Sequence, residues 1–331
     1  MSGSQRLVVA LDDGYASYDQ EQSMLEAVDA RFELRPCAGS EAAALRAVRG
    51  ADIVLVRESP VSRSVIAAMD RCKGVVRYGI GVDNIDLAAA RERSIAVANV
   101  PDYGIEEVST HAVALLLAVV RQVLVRDRNV RSGRWSAARE QPMYRLRGRT
   151  LGLIGYGRIA RQVQEKLAGF GFQQVLVHDP HARLPADVQP ADIDEICAQA
   201  DVVSLHAPLT PDTRHVIDEA RLRLMRPTAI LVNTARGGLV DLDALQRVLV
   251  ERRFLGAGLD VFESEPPTPA HPVFELDNVV VSDHIGWYSE EAMRELQRKA
   301  AEEVVRILQG LAPKHWLNAG ADFSTLRTSP T

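Results

Sequence analysis

The sequence predicts an α/β protein built on two doubly wound parallel sheets, and three observations carry that expectation. Short apolar runs alternate with helical patterns through the first hundred residues, a second alternating series restarts near Thr150, and one long helical stretch stands between the two. Alternation at this spacing argues for parallel strands with helices on both faces. At 331 residues and 47% hydrophobic content, the chain is long enough for two domains with a large core.

Taken in order, strand-like runs fall at 7–11, 32–34, 53–56, 74–76 and 95–98, with helical patterns at 20–30, 40–48 and 62–69 between them. Residues 106–131 read as one long helix. Its run His111-Ala112-Val113-Ala114-Leu115-Leu116-Leu117-Ala118 is apolar nearly all round, which predicts packing between two domains. Gly133 is its expected C-cap. The second series places strands at 151–154, 174–177, 202–205, 229–232, 255–259 and 279–281, then a last helix at 289–309. The polar, small-residue tail 319–331 is expected to be disordered. The implied organisation is a nucleotide unit, 103–288, inserted into a first unit made of 1–102 plus 289–331, with the last helix crossing back.

Composition excludes several functions. A net charge of −5 with no basic stripe leaves no electrostatic footprint for nucleic acid. No apolar stretch approaches the roughly 20 residues of a membrane span. The run 7–11 ends in Asp12-Asp13 and is too short for a secretory signal, so a cytoplasmic location is the expectation. Cys37, Cys72 and Cys197 are scattered among Ala, Val, Ile and Arg, which suggests buried or half-buried thiols. Lysine is scarce: 4 Lys stand against 35 Arg, and none follows glycine before Ser or Thr as a phosphate-binding Walker loop requires.

The most specific local signal is Leu151-Gly152-Leu153-Ile154-Gly155-Tyr156-Gly157-Arg158-Ile159-Ala160, a strand, a Gly-x-Gly-x-x-Ala turn and a helix start. Glycines permit the tight turn and a close backbone approach to a pyrophosphate held at the helix N-terminus. Asp179 ends the next strand about 20 residues on, where a carboxylate takes the ribose 2′-OH and repels a 2′-phosphate. The expected cofactor is therefore NAD rather than NADP. The bland reading of Asp179 is a turn-capping carboxylate.

Three strands of the second series then deliver chemistry at their carboxyl ends, the ligand edge of an open α/β sheet. One leads to Asn233-Thr234-Ala235-Arg236, the next to Asp260 and Glu265, the last to Ser282-Asp283-His284. Arg236 offers a planar fork for a carboxylate. His284 can move a proton near neutral pH. Glu265 can orient the imidazole and stabilise its charged form. Singly, these are a surface arginine, a core histidine and a loop carboxylate. Together they suit hydride exchange between a 2-keto acid and its 2-hydroxy acid, the nicotinamide moving the hydride.

Those segments, with Asn233 to Asp241, 259–266, 283–289 and Arg77-Tyr78-Gly79-Ile80-Gly81-Val82-Asp83-Asn84-Ile85-Asp86, resemble the D-isomer-specific 2-hydroxyacid dehydrogenase family over roughly residues 50–318. Trp287-Tyr288-Ser289 and Glu263-Ser264-Glu265 look closest to its branch containing the C-terminal-binding-protein corepressors. The resemblance implies a flavodoxin-like substrate domain, a Rossmann NAD domain, an active site in the cleft and a homodimer. It places the catalytic residues on Arg236, Glu265 and His284. Substrate contacts fall on Arg57 and on the loop Tyr78, Gly79, Ile80 and Gly81, whose amides would take the carboxylate. Cofactor positions fall on Gly155, Gly157, Arg158, Ile159, Asp179, Ala207, Pro208, Thr213, Thr234, Ala235, Arg236, Asp260, His284, Gly286 and Trp287. Val108 departs from the pattern, since many members carry threonine there near the cofactor phosphates.

Weaker signals read as structure. His178 and His181 have metal-like spacing without a carboxylate shell, so no metal is expected. His206 reads as structural support, and Trp287 as a pocket wall. Two functions compete: an enzyme acting on a small 2-keto or 2-hydroxy acid, of which a phosphoglycerate dehydrogenase is one variant, and an NAD-sensing interaction protein.

Overall fold

A computed structural model describes residues 5–135 and 142–319. The expected tail beyond residue 319 lies outside the described residues. In chain order the elements are β1 (Arg6–Ala10), α1 (Asp19–Glu26), β2 (Ala30–Leu34), α2 (Glu41–Ala47), β3 (Ile53–Val56), α3 (Arg63–Ala67), β4 (Gly74–Arg77), α4 (Leu87–Glu92), β5 (Ala96–Ala98), α5 (Ile105–Val120) and α6 (Val123–Arg131). There follow β6 (Thr150–Ile154), α7 (Arg158–Leu167), β7 (Gln174–His178), β8 (Gln189–Pro190), α8 (Ile193–Gln199), β9 (Val202–Leu205), α9 (Glu219–Leu224), β10 (Ile230–Asn233), α10 (Leu242–Val250), β11 (Gly256–Leu259), β12 (Val279–Val281) and α11 (Glu290–Leu308). The chain divides into one unit of Met1–Gly104 with Ser289–Thr331 and a second of Ile105–Tyr288.

The first unit holds a parallel five-stranded sheet in the order β2-β1-β3-β4-β5, the flavodoxin-like order. One face carries α2, α3 and α4, the other α1 and the returning α11. Every residue of β3 is buried, as a strand covered on both faces demands.

The second unit holds seven parallel strands in the order β12-β11-β10-β9-β6-β7-β8. The chain reverses direction across the sheet between β6 and β9, which makes their carboxyl ends the switch point where ligands bind in such sheets. Here α8, α9 and α10 cover one face, and α5 and α7 the other. Glycines in β11 let α5 sit close: a Cβ on Gly258 would lie 2.9 Å from the Leu115 Cβ. Ser and Asp cap several helix starts, for example Asp241, whose Oδ1 accepts the Ala244 N–H.

The expectation of one helix over 106–131 is corrected. The stretch breaks at Arg121-Gln122, where α5 and α6 meet at 59° and Gln122 takes a left-handed φ of 54°. The Gln122 side-chain amide donates to the Pro142 carbonyl, a partner that holds the break and lies 20 residues on. No residue of α6 is buried. No single described helix is long and apolar enough to cross a membrane. Gly133, with φ 74°, follows the end of α6 as its left-handed cap residue. Cys37 and Cys197 are buried and Cys72 half-buried, all as free thiols.

Candidate active site

The turn after β6 puts Gly155 at φ 86°, its N–H donating to the His178 carbonyl. A Cβ there would lie 2.5 Å from the Ala207 nitrogen, so only glycine lets the β6 and β9 loops meet. Gly157 is the N-cap of α7, and Arg158 and Ile159 open that helix. Gly157 and Arg158 are exposed and Ile159 half-buried, which leaves the helix start open to a ligand phosphate.

Asp179 stands at the end of β7. Its Oδ2 accepts the Tyr156 N–H at 2.7 Å, and its Oδ1 accepts those of His181 and Ala182, both at 2.9 Å. Partial burial opposes its charge, but these three N–H groups and the nearby His181 hold the carboxyl below its ordinary value. The turn-capping role is therefore present, and it presents an ionised carboxylate beside the glycine turn. His178 Nδ1 sits 3.2 Å from the Ala191 carbonyl. Among the described residues no group of three or more His, Cys, Asp or Glu could hold a metal ion.

Across the switch point, Ala207 and Pro208 follow β9, and the Thr213 hydroxyl donates to the Pro208 carbonyl at 2.7 Å, closing that loop. His206 Nε2 lies 2.9 Å from the Ser204 hydroxyl, and burial lowers its pKa to about 4, which keeps the ring neutral. Val108 is buried on α5. The Thr234 hydroxyl, at the end of β10, is buried without a hydrogen-bond partner. A buried orphan hydroxyl calls for a partner. Together with the Gly155 cradle and the open α7 start, it fits a dinucleotide lying along this edge.

The acid–base residues come together on neighbouring loops. Asn233 turns the chain after β10: its carboxamide accepts the Ala235 N–H and donates to the Arg236 carbonyl, which sets Arg236 in extended backbone. Gly237 packs directly on the next loop, a Cβ there falling 1.9 Å from the Phe262 carbonyl carbon. That loop carries Glu265, whose Oε1 accepts the Phe262 N–H at 2.9 Å and whose Oε2 lies 2.5 Å from His284 Nδ1. Burial works against the Glu265 charge. The bonds from His284 and Phe262 and the charges of His284 and Arg236 outweigh it and hold the carboxyl below its ordinary value. The His284 and Glu265 side chains stay 43% and 36% exposed, so the pair is open to a substrate.

His284 itself adopts φ 57°, a left-handed conformation a non-glycine residue rarely takes. A frame of polar bonds surrounds it. The Asp260 carbonyl accepts the His284 N–H, Asp260 Oδ1 accepts from Ile285 N–H and the Ser282 hydroxyl, and Oδ2 accepts the Gly286 N–H. His111, on α5, places Nε2 2.8 Å from Ser282 Oγ and 3.3 Å from Asp260 Oδ1. Sequence reading found Asp260 and Gly286 but not His111 or Ser282. The Trp287 and Tyr288 rings pack edge to face at 5.7 Å.

In the first unit, the loop after β4 places Tyr78 in the core and Gly79 at φ 132°. The Tyr78 and Gly79 N–H groups are already bonded to the Val56 and Arg77 carbonyls. Of the four amides expected to receive a carboxylate, those of Ile80 and Gly81 remain. Arg57 projects from the end of β3, bonded to Glu58 and to the Gly14 carbonyl.

A turn that fits a dinucleotide, with a histidine–carboxylate pair and an arginine on the same sheet edge, defines a nicotinamide-dependent oxidoreductase. Residues 113–286 match the family described as "D-isomer specific 2-hydroxyacid dehydrogenase, NAD binding domain", and the chain belongs to that family. It is 38% identical over 282 residues to D-3-phosphoglycerate dehydrogenase of Methanocaldococcus jannaschii, covering 83% of this chain and 53% of that protein. It is also 38% identical over 273 residues to glyoxylate reductase of Korarchaeum cryptofilum, covering 80% and 82%. The TT0316 protein of Thermus thermophilus superposes with a TM-score of 0.86 at 34% identity, covering 94% and 99%. The chain thus spans about half the length of the phosphoglycerate dehydrogenase and most of the reductase.

Proposed function

We propose that this protein interconverts a D-2-hydroxy acid and its 2-keto acid, with NAD rather than NADP as cofactor. The observation that carries the reading is the His284–Glu265 pair at 2.5 Å, set beside Arg236 on neighbouring strand-end loops. NADH, when bound, supplies the hydride. The chain's own residues do the rest. Arg236 binds the substrate's carboxylate and carbonyl oxygen. Because Glu265 holds Nδ1, His284 Nε2 is left to give the carbonyl oxygen its proton, and the ionised Glu265 stabilises the imidazolium before that transfer. Oxidation of the hydroxy acid runs the same proton back to Nε2. The Thr234 hydroxyl, the Gly155 turn and Asp179 would hold the dinucleotide, Asp179 reading the ribose.

The similarity to a glyoxylate reductase and a phosphoglycerate dehydrogenase supports an enzyme over an NAD-sensing docking protein of the corepressor type. A homodimer belongs to the same reading. Helix α6 has no buried residue and leaves Val123, Leu124 and Val130 exposed among charged side chains, a surface a second copy could cover. The deciding experiment is a panel of 2-keto acids with NADH, followed by loss of absorbance. Reduction of at least one member with D stereochemistry is expected. NADH binding without turnover of any member would favour the docking function.

A further inference from the structure

We propose that His111 is a positioning residue for His284, acting through Ser282 and Asp260. This rests on the role just given to His284. The direction of each bond follows from the donors available. Ser282 has one hydroxyl proton, and it goes to Asp260 Oδ1 at 2.7 Å. The Ser282 oxygen can then only accept, so the group 2.8 Å away, His111 Nε2, must donate. His111 thereby fixes the Ser282 rotor, and Ser282 and His111 together face the carboxylate that receives the Ile285 and Gly286 N–H groups.

This polar frame has work that apolar packing does not perform. The turn it holds contains a non-glycine residue at φ 57°, and its side chains lie near solvent: His284 is half-exposed and Ile285 is 38% exposed. Polar bonds donated to a buried carboxylate therefore keep the left-handed turn in place. Space around it is tight, since a Cβ on Gly286 would fall 2.7 Å from Asp260 Oδ2 and 3.2 Å from the His111 ring. Helix α5 is anchored on β10, β11 and β12 through Leu115, Leu116 and Val119, so His111 ties the loop to a rigid element. A catalytic pair that must meet at 2.5 Å needs such support.

The test compares His111→Leu, which keeps bulk and removes the donor, with His111→Gln, whose amide nitrogen can reach the Nε2 position. His111→Leu should lower kcat roughly ten- to a hundred-fold, with the Kd for NADH little changed, and should move the pH profile of kcat. His111→Gln should restore most of both. Independently of turnover, ring-¹⁵N histidine spectra of the full chain, assigned with His284→Ala, should show the His284 Nδ1 signal losing its hydrogen-bonded character in the leucine variant and regaining it in the glutamine variant. A leucine variant with kcat within twofold and an unchanged His284 signal would overturn the proposal. So would a glutamine variant as impaired as the leucine one. If the unaltered protein reduces no 2-keto acid, the functional reading fails, and the His284 spectra still decide the role of His111.

Discussion

Two carboxylates, one in each unit, are almost wholly removed from water and yet lean in opposite directions. Glu21, on α1, is 0% exposed, and Asp260, after β11, is 2% exposed. Burial opposes the charge of both. At Glu21 burial wins, and the pKa is raised despite bonds from its own backbone N–H, the Tyr78 hydroxyl and the Gln297 amide, with Asp19 adding repulsion. At Asp260 the donors win: His111, the Ser282 hydroxyl and the Gly286 N–H hold the carboxyl below its ordinary value. What separates them is the partner set. At Glu21 one backbone N–H and two neutral side-chain donors fall short of burial and the Asp19 charge, whereas at Asp260 a histidine, a hydroxyl and the Gly286 N–H outweigh burial. The first unit has built a packed polar core there; the second has built a charged frame for a reaction.

The largest test of that contrast lies on the charged frame. His284→Ala should reduce turnover by roughly 10²–10⁴, the range for a lost general acid. NADH binding, read by fluorescence, should stay nearly constant, and a fully active variant would remove His284 from the chemistry. Gly237→Ala comes next. Its new Cβ would meet the Phe262 carbonyl and the Glu263 nitrogen, which are backbone and cannot swing away. Overpacking of this kind costs about 1–3 kcal/mol, and the displaced loop carries Glu265, so both melting temperature and kcat should fall. Unchanged values for both would mean the two loops separate freely.

What the sequence made legible follows from physics that is local. Strands covered on both faces are apolar runs, and the polar residues after each run mark the sheet edge, so Arg236, Glu265 and His284 are legible in the sequence alone. The break after α5 did not, because Arg121-Gln122 contains neither glycine nor proline and its stabilising partner, the Pro142 carbonyl, is distant in sequence. The two-residue strand β8 has no apolar run to announce it. His111 stayed hidden for a related reason. It sits inside an Ala- and Leu-rich helical run, and its partner Ser282 is 171 positions away.

A smaller effect is expected at Asp179. Its carboxylate already receives three backbone N–H groups, so it is held ionised for a ribose hydroxyl but also ties down the turn. Asp179→Ala should weaken NAD about tenfold, the size of one hydrogen bond to a charged group, and NADP much less. Equal weakening of both cofactors would assign the residue to the turn alone.

The smallest effect should come from the other carboxylate. A raised folded-state pKa means that Glu21 contributes stability fully below its unfolded value and loses that contribution as pH rises through the folded one. Glu21→Gln has no proton to exchange but keeps an acceptor for the Tyr78 hydroxyl and the Gln297 amide. The melting temperature of the unaltered protein minus that of the variant should therefore become more positive as pH falls from about 8 toward about 5, by a few degrees at most for a domain of this size. Other carboxylates titrate in that range too, but they are common to both proteins and cancel in the difference. A difference that stays flat, or moves the other way, would mean that Glu21 is as comfortably charged as Asp260, and the contrast between the two units would rest on geometry alone.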